Sequence, residues 1–274
     1  MANWMAGLSL TGVVLTVLAS MLAAGLAGFG TRQLQDRWGK IKEDHSQESY
    51  LVGSMIGVLG LLMAFSFGMA LNRYEERRQL VVQEANAIGT SYLRSQFLDE
   101  PHRTRLSNLL VNYTDNRIAL ASAASGDRDR LLQVNDQLLN DIWAAVTAAG
   151  TSAAARSISV PLVLSFNEVI DLDLERKIAR QARVPAPVLM LLYSFLIINA
   201  AVIGYVLEES RARVGAVVFF VLLSLYVGII SDLNRPASGS VRESQEPMLM
   251  LQTSLKSQPP KSFDRYSSDS EAAP

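Results

Sequence analysis

Four mostly apolar runs of about twenty residues alternate with polar sequence along this chain of 274 residues. They are residues 5–29, 50–71, 186–207 and 214–230, and none contains Asp, Glu, Lys or Arg. A helix of about twenty residues spans roughly 30 Å, the thickness of the hydrocarbon core of a bilayer. Four such runs in one chain predict transmembrane helices rather than the buried helices of a soluble protein.

The second apolar run continues into charged sequence, "LNRYEERRQLVVQEANAIGTSYLR", with no glycine, proline or turn signal at Asn72. This pattern predicts one helix that leaves the bilayer at Asn72 and enters a helical bundle without a hinge. A seam at steps of three and four predicts packing on another helix; its members are Tyr74, Val81, Ala85, Ile88 and Tyr92. A largely polar flank runs beside the seam; its members are Arg73, Arg77, Glu84, Ser91 and Arg94.

The predicted fold is an all-α integral membrane protein, with four transmembrane helices and a helical cytoplasmic domain inserted between the second and third. The predicted segments are transmembrane helix 1 at 5–29, a loop at 30–49, transmembrane helix 2 at 50–71, the helical domain at 72–185, transmembrane helix 3 at 186–208, transmembrane helix 4 at 213–232, a C-terminal segment with a short helix at 233–256, and a disordered tail at 257–274. The alternative interpretation of residues 1–29 is a cleaved signal peptide. The start "MANW" lacks Lys and Arg, which favours a retained helix.

The distribution of basic residues sets the expected orientation. Eight lie near the span ends on the side of the helical domain, namely Arg73, Arg77, Arg78, Lys177, Arg180, Arg183, Arg235 and Arg242. The other side carries six, namely Arg32, Arg37, Lys40, Lys42, Arg211 and Arg213. Because short cytoplasmic flanks are enriched in Lys and Arg, the N-terminus, the helical domain and the C-terminal tail are expected in the cytoplasm, with the spans in the cell membrane.

The composition excludes several classes of chemistry. The chain has no cysteine, which excludes disulfides and thiolate metal sites, and only two histidines, so no metal site or cofactor is expected. No phosphate loop, dinucleotide fingerprint or nucleophile elbow is present, so an enzyme is not expected. The net charge of −1 does not favour nucleic acid. Uncharged spans disfavour a proton relay but allow passive conduction through a hydrophobic pore.

Small and polar residues within the spans indicate close helix packing. Gly53, Gly57 and Gly60 lie near one face of the second span, and Ser20, Ala24 and Gly28 form a similar stripe in the first. These contacts are expected within one subunit or between subunits. The main polar side chains of the spans are Ser66, Ser194, Asn199 and Ser224, for which hydrogen bonds between helices are favoured over ion coordination.

The segments "LNRYEERRQLVVQEANAIGTSYLR" and "SDLNRPASGSVRESQEPMLML" resemble the bacterial bestrophin-like domain family, a family of four-span membrane proteins. The resemblance covers roughly residues 50–255. The layout is also distantly similar to bestrophins, which are pentameric, mainly anion-conducting channels whose second span lines the pore. The resemblance therefore implies a homo-oligomer in the lipid bilayer, a pentamer in bestrophins, that conducts chloride or other small anions.

The resemblance also implies candidate site residues. In bestrophins an apolar stripe forms the pore neck shortly before an Arg-aromatic pair, which is Arg73-Tyr74 here; the corresponding pore-lining candidates are Gly57, Leu61 and Phe65. Phe65 is the closest counterpart, because Gly57 is too small to narrow a pore. The candidates for a vestibule that concentrates anions are Arg73, Arg77 and Arg78. Their alternative role is to anchor the helix at lipid phosphates.

The acidic calcium-binding cluster of bestrophins has no clear equivalent. Asp232 is isolated in the sequence, and Glu243 and Glu246 are not arranged as ligands, so calcium gating is not implied. The sequence thus favours an oligomeric anion channel. Its alternative is a non-conducting membrane scaffold or signalling adaptor that acts through the helical domain, and a membrane enzyme is the least supported function.

Overall fold

The computed structural model describes residues 8–38, 45–151, 158–207, 209–236 and 239–266. These residues form helices and connections, with no strand among them. The helices are α1 (Leu10–Arg37), α2 (His45–Ser95), α3 (His102–Ser122), α4 (Ser125–Ala149), α5 (Ser159–Gln181), α6 (Ala186–Val206), α7 (Ser210–Leu233), α8 (Glu246–Ser257) and a 3-10 helix (Pro260–Tyr266).

Four helical segments are long and apolar enough to cross a membrane, with a mean hydropathy of 2.0 to 2.5 over their most apolar 18 residues. They are Leu10–Arg37, Tyr50–Ser95, Ser159–Val206 and Arg211–Leu233. The helix α2 is continuous through Asn72 for 51 residues, as the sequence predicts. Helices α1 and α2 extend into the predicted loop at 30–49, because the polar residues there, such as Gln33 and Glu48, are compatible with a helix.

The chain divides into two compact units. The membrane unit comprises Met1–Glu75 and Ala182–Arg242, and the helical unit comprises Glu76–Gln181 and Glu243–Pro274. The helical unit thus includes the end of the chain, which the sequence places in separate C-terminal segments. The predicted start of the first transmembrane helix, residues 5–7, lies outside the described residues.

Within the membrane unit, α1 packs closely against α6 and also contacts α7. A Cβ atom built on Gly28 would lie 1.9 Å from the carbonyl oxygen of Ala201, and one on Gly204 would lie 2.0 Å from that of Gly25. Both distances are too short for any side chain. The glycines therefore let the two backbones touch, which confirms a close contact at Gly28 in the stripe predicted for the first span.

The polar side chains of the spans bond to their own helices. Ser66 Oγ, Asn199 Nδ2 and Ser224 Oγ are buried, and each donates to a carbonyl four residues earlier, at 2.8, 2.8 and 2.7 Å. Ser194 Oγ, which is exposed, donates in the same way to the Met190 carbonyl. The prediction of hydrogen bonds between helices is therefore wrong for Ser66, Ser194 and Asn199, because the carbonyl one turn earlier is already within reach. It is confirmed for Ser224, whose hydroxyl also lies 4.0 Å from Met21 Sδ of α1.

The helical unit is built around the apolar seam of α2. Val81, Ala85, Ile88 and Tyr92 are buried, and they join a core to which α3, α4, α5 and α8 contribute. Helix α8 packs on this core through Met248 and Leu255.

The chain remains ordered beyond the predicted start of the disordered tail. The Tyr92 hydroxyl donates to the Gln258 carbonyl at 2.7 Å, and Arg103 forms two hydrogen bonds to Asp264, at 2.6 and 2.9 Å. These contacts hold residues 260–266 in a 3-10 helix. The polar composition of this segment gave no sign of those partners.

Candidate functional site

The three pore-lining candidates lie on one exposed face of α2 in the membrane unit. Leu61 is 57% exposed, Phe65 is 64% exposed, and Gly57 is also exposed. A Cβ atom built on Gly57 would meet no atom within 4 Å, and the same holds for Gly53 and Gly60. The predicted glycine stripe of the second span therefore has no close neighbour among the described residues.

The opposite face of α2 packs inside the membrane unit. Leu59, Met63, Ser66 and Ala70 are buried at helical spacing. This division leaves an uncharged face of α2 that is free to line a pore, to contact a second copy or to face lipid.

The three vestibule candidates differ in their surroundings. Arg73, in the membrane unit, and Arg78, in the helical unit, are exposed. Arg77 is only 3% exposed, and its Nε donates to Glu243 Oε1 at 2.7 Å. Arg180 Nη2 approaches the other oxygen of Glu243 at 3.5 Å. Arg77 is therefore engaged in an ion pair inside the helical unit.

A second group of charged residues, centred on Glu84 of α2, lies in the interior of the helical unit. The Glu84 side chain is fully buried. The Tyr113 hydroxyl donates to its Oε1 at 2.7 Å, Arg117 Nη2 donates to its Oε2 at 3.2 Å, and Arg176 donates to the same oxygen. One carboxylate thus joins α2 to α3 and α5. We call Glu84, Tyr113, Arg117 and Arg176 the Glu84 cluster.

The Glu84 cluster extends to the surface through Asp173 of α5. Arg117 Nη1 donates to Asp173 Oδ1 at 2.9 Å, and Asn135 Nδ2 donates to the same oxygen at 3.0 Å. Lys177 Nζ then bridges Asp173 and the exposed Asp136, at 2.7 Å to each. The buried arginines are therefore matched by carboxylates, as buried charges require.

Two protonation states in the Glu84 cluster follow from its geometry. Burial, and then the nearby carboxylate of Glu84, raise the pKa of Tyr113 well above its usual value, so its hydroxyl stays a donor. Burial alone would lower the pKa of Arg117, but Tyr113 and the carboxylates of Glu84 and Asp173 raise it. The Tyr113 hydroxyl and the Arg117 guanidinium thus both remain donors to Glu84 near neutral pH.

The acidic residues near the end of α7 have structural roles. Asp232 accepts hydrogen bonds from the backbone N–H groups of Ser240 and Val241, at 2.7 and 3.1 Å, and closes the loop after the helix. Glu243 pairs with Arg77. Among the described residues, no group of three or more His, Asp or Glu side chains is placed to hold a metal ion.

The family model for the bestrophin-like domain matches residues 22–248, which is most of the chain. The chain belongs to the bestrophin-like domain family. The first motif that carries the resemblance, the exposed face of α2, and the second motif up to Met248 lie within the matched residues. No curated protein matches the sequence significantly.

Solved structures show the same fold at low identity. A variant of a bacterial bestrophin homologue from Klebsiella pneumoniae matches with a TM-score of 0.66 and 13% identity, over 89% of this chain and 98% of the other. Another structure of a bacterial bestrophin homologue from Klebsiella pneumoniae gives a TM-score of 0.64 and 12% identity, over 89% and 96%. A structure described as a membrane protein gives 0.67 and 12%, over 89% and 97%. The bestrophin-like chain is thus a membrane protein with this helical fold.

Proposed function

We propose that this bestrophin-like protein is an oligomeric channel that conducts chloride or other small anions passively, through a hydrophobic pore lined by α2. The observation that carries the proposal is the uncharged face of α2, where Gly57, Leu61 and Phe65 are exposed and align along the helix. Family membership supports it, because bestrophins are mainly anion-conducting pentamers. A pentameric ring would bring five copies of this face around one axis.

The residues of this face account for passive conduction. A hydrophobic constriction controls ion passage by wetting and dewetting, so it needs no ionisable group inside the membrane. Phe65 is the bulkiest of the three candidates and forms the narrowest ring in this proposal, whereas Gly57 leaves the pore wide. Arg73 and Arg78 concentrate anions beyond the span. Arg77, paired with Glu243, stabilises the helical unit instead.

Chloride flux from liposomes tests the pore. Phe65→Ala removes the proposed constriction and is expected to change the flux of the reconstituted full chain several-fold. Leu222→Ala on α7 is a matched control, because Leu222 is an equally exposed apolar residue of the membrane unit. A purified, folded oligomer that passes no chloride would count strongly against the channel. Equal effects of the two substitutions would refute the assignment of Phe65.

Ion selectivity tests the proposed vestibule. Arg73→Gln removes an exposed positive charge just beyond the span and is expected to reduce the preference for chloride over potassium in the reversal potential. Arg77→Gln is expected to lower thermal stability instead, since it leaves Glu243 without its buried partner. A loss of selectivity in Arg77→Gln without a loss of stability would contradict this division of roles.

A non-conducting scaffold or signalling adaptor is the second candidate function. It is favoured by four large apolar side chains that α5 exposes in the helical unit, namely Val160, Leu164, Leu174 and Ile178. Exposed apolar stripes of this kind often mark protein interaction surfaces. Liposomes that stay silent with a folded oligomer would favour this function over conduction.

A further inference from the structure

Helix α2 carries an uncharged polar face in the helical unit. Three amides and one hydroxyl are exposed within a sector of about 60°, at 100° per residue. We call this surface the amide face; its members are Gln79, Gln83, Asn86 and Thr90. The exposed residues of α2 from 79 to 93 include no charged side chain. The exposed residues of α4 in the same unit, by contrast, include Asp127, Asp129, Arg130, Asp136 and Asp141.

The amide face shares its helical register with the pore-lining candidates of α2. Helix α2 is continuous from His45 to Ser95, and eighteen residues make about five turns of an α-helix. Gln79 therefore repeats the register of Leu61, and Gln83 repeats that of Phe65. A ring that turns Leu61 and Phe65 towards its axis, with α2 running along that axis, turns the amide face in the same direction.

Charged residues stand at the two ends of the amide face and not within it. Glu76 precedes it and Arg94 follows it, each about 20° outside the sector. Arg94 Nη1 donates to the Pro161 carbonyl at 2.7 Å. An ion that moves along the face from Gln79 to Thr90 therefore meets dipoles and no fixed charge of α2.

Neutral donors suit an anion that must pass without being held. The N–H groups of Gln and Asn side chains and the hydroxyl of Thr can donate to an anion in place of lost water. Conduction requires sites that bind weakly enough to release the ion and that repeat along its route. The four members of the amide face extend over about 16 Å of helix at steps of three and four residues, which gives such a series.

We propose that the amide face of each copy lies at the axis of the oligomer and lines the route of the anion through the helical units. The inference rests on the proposed function and deepens it, because it names neutral anion-coordinating residues beyond the apolar span. Water and a passing anion occupy the surface. Amides and a hydroxyl suit a wetted route better than the apolar centre of a protein contact.

Single cysteines test the axial position, because the chain has no cysteine of its own. A residue meets its own copies only near a symmetry axis. With a short bis-maleimide in detergent, Gln83→Cys is therefore expected to give covalent dimers on a denaturing gel. Gln133→Cys is the matched control, since Gln133 is an exposed glutamine on α4 of the same unit, and it is expected to remain a monomer. Light scattering of the native protein is expected to show more than two copies.

Charged thiol reagents test the route of the anion in liposomes that contain the full chain. A negatively charged methanethiosulfonate on Gln83→Cys is expected to lower chloride flux several-fold, because it places a repelling charge on the route. A positively charged methanethiosulfonate at the same site is expected to lower the flux less. Neither reagent should change the flux of Gln133→Cys. Mass spectrometry verifies that each cysteine is fully labelled.

Three outcomes would overturn the inference. They are a folded oligomer in which Gln83→Cys links no more than Gln133→Cys, a native oligomer of only two copies, and a chloride flux that complete labelling of Gln83→Cys leaves unchanged. The flux of the unlabelled protein separates this inference from the proposed function. A conducting oligomer without the Gln83 link retains the channel and loses the inference. A linked oligomer that stays silent retains the axial position of the amide face and loses the channel, together with its anion route.

Discussion

Glu84→Gln removes a negative charge that is shared by two buried arginines of the helical unit, Arg117 and Arg176. The carboxylate of Glu84 is fully buried and accepts hydrogen bonds from Tyr113, Arg117 and Arg176. Glutamine keeps the size of the side chain but leaves the arginines without this counter-charge. Breaking a buried ion pair from one side costs about 3–5 kcal/mol. Typical unfolding free energies are about 5–15 kcal/mol, so the loss should be a large part of the total.

Thermal unfolding and hydrogen exchange of the full chain in detergent measure the effect. A loss of 1 kcal/mol lowers the midpoint temperature of unfolding by about 2–4 °C, so the midpoint for the helical unit should fall by about 10 °C. Exchange should rise in α3 (His102–Ser122), which holds two partners of Glu84. The control is Glu168→Gln on α5, an exposed glutamate with no ion pair among the described residues, where a change within about 0.5 kcal/mol is expected.

A second substitution separates the loss of charge balance from the loss of packing. Adding Arg176→Met to Glu84→Gln removes one of the unmatched charges and should restore part of the stability. A fall for Glu84→Gln no larger than that of Glu168→Gln would refute the reasoning. An additive loss in the double variant would show instead that Arg176 contributes through other contacts.

Two further predictions concern the crossing of α1 and α6 and the end of the chain. Gly28→Ala should destabilise the membrane unit by about 1–3 kcal/mol in thermal unfolding, because the new Cβ atom would overlap the Ala201 carbonyl. Gly30→Ala is the control. Its Cβ atom would meet no atom within 4 Å, so this substitution should be neutral or stabilising. The hydrogen bonds from Arg103 lower the pKa of Asp264 below its ordinary value of 3.8. The ion pair therefore stabilises the folded chain at pH values above 3.8, and this stabilisation is lost as the pH falls through the lowered pKa. Hydrogen exchange in residues 260–266 should therefore rise selectively at low pH, and Asp264→Asn should raise it at neutral pH.

The positions of the helices along the chain could be predicted, because each helix depends on the sequence of its own segment. An uncharged run of twenty residues predicts a membrane span from its length alone. The absence of a breaker at Asn72 predicts the continuous helix α2, and steps of three and four predict which residues of that helix are buried. Each of these signals lies within one segment of the chain.

The burial of charged residues could not be predicted in the same way. Arg77, Glu84 and Ser91 are spaced by seven residues on the polar flank of α2, and all three are buried. Polar residues at this spacing usually face water. The groups that compensate Glu84 lie 29, 33 and 92 residues further along the chain, at Tyr113, Arg117 and Arg176. No pattern within α2 reveals them.

The neighbours of the small-residue stripes in the spans also could not be predicted from the sequence. Gly28 and Gly57 both belong to stripes that are typical of close helix contacts, but Gly28 touches the backbone of α6 while Gly57 meets nothing within 4 Å. A glycine permits a close approach without specifying the neighbour. The difference between the two glycines therefore depends on which helix lies beside each one.

The helical unit departs from the usual division of apolar and polar residues in two places. It buries charge at the Glu84 cluster and exposes four large apolar side chains on α5, namely Val160, Leu164, Leu174 and Ile178. Each departure opposes stability when it stands alone, because buried charge is costly and exposed apolar surface favours association. The first is compensated within the chain by matched arginines and carboxylates. The second has no compensation within the described residues, so a partner outside the single chain is expected to supply it.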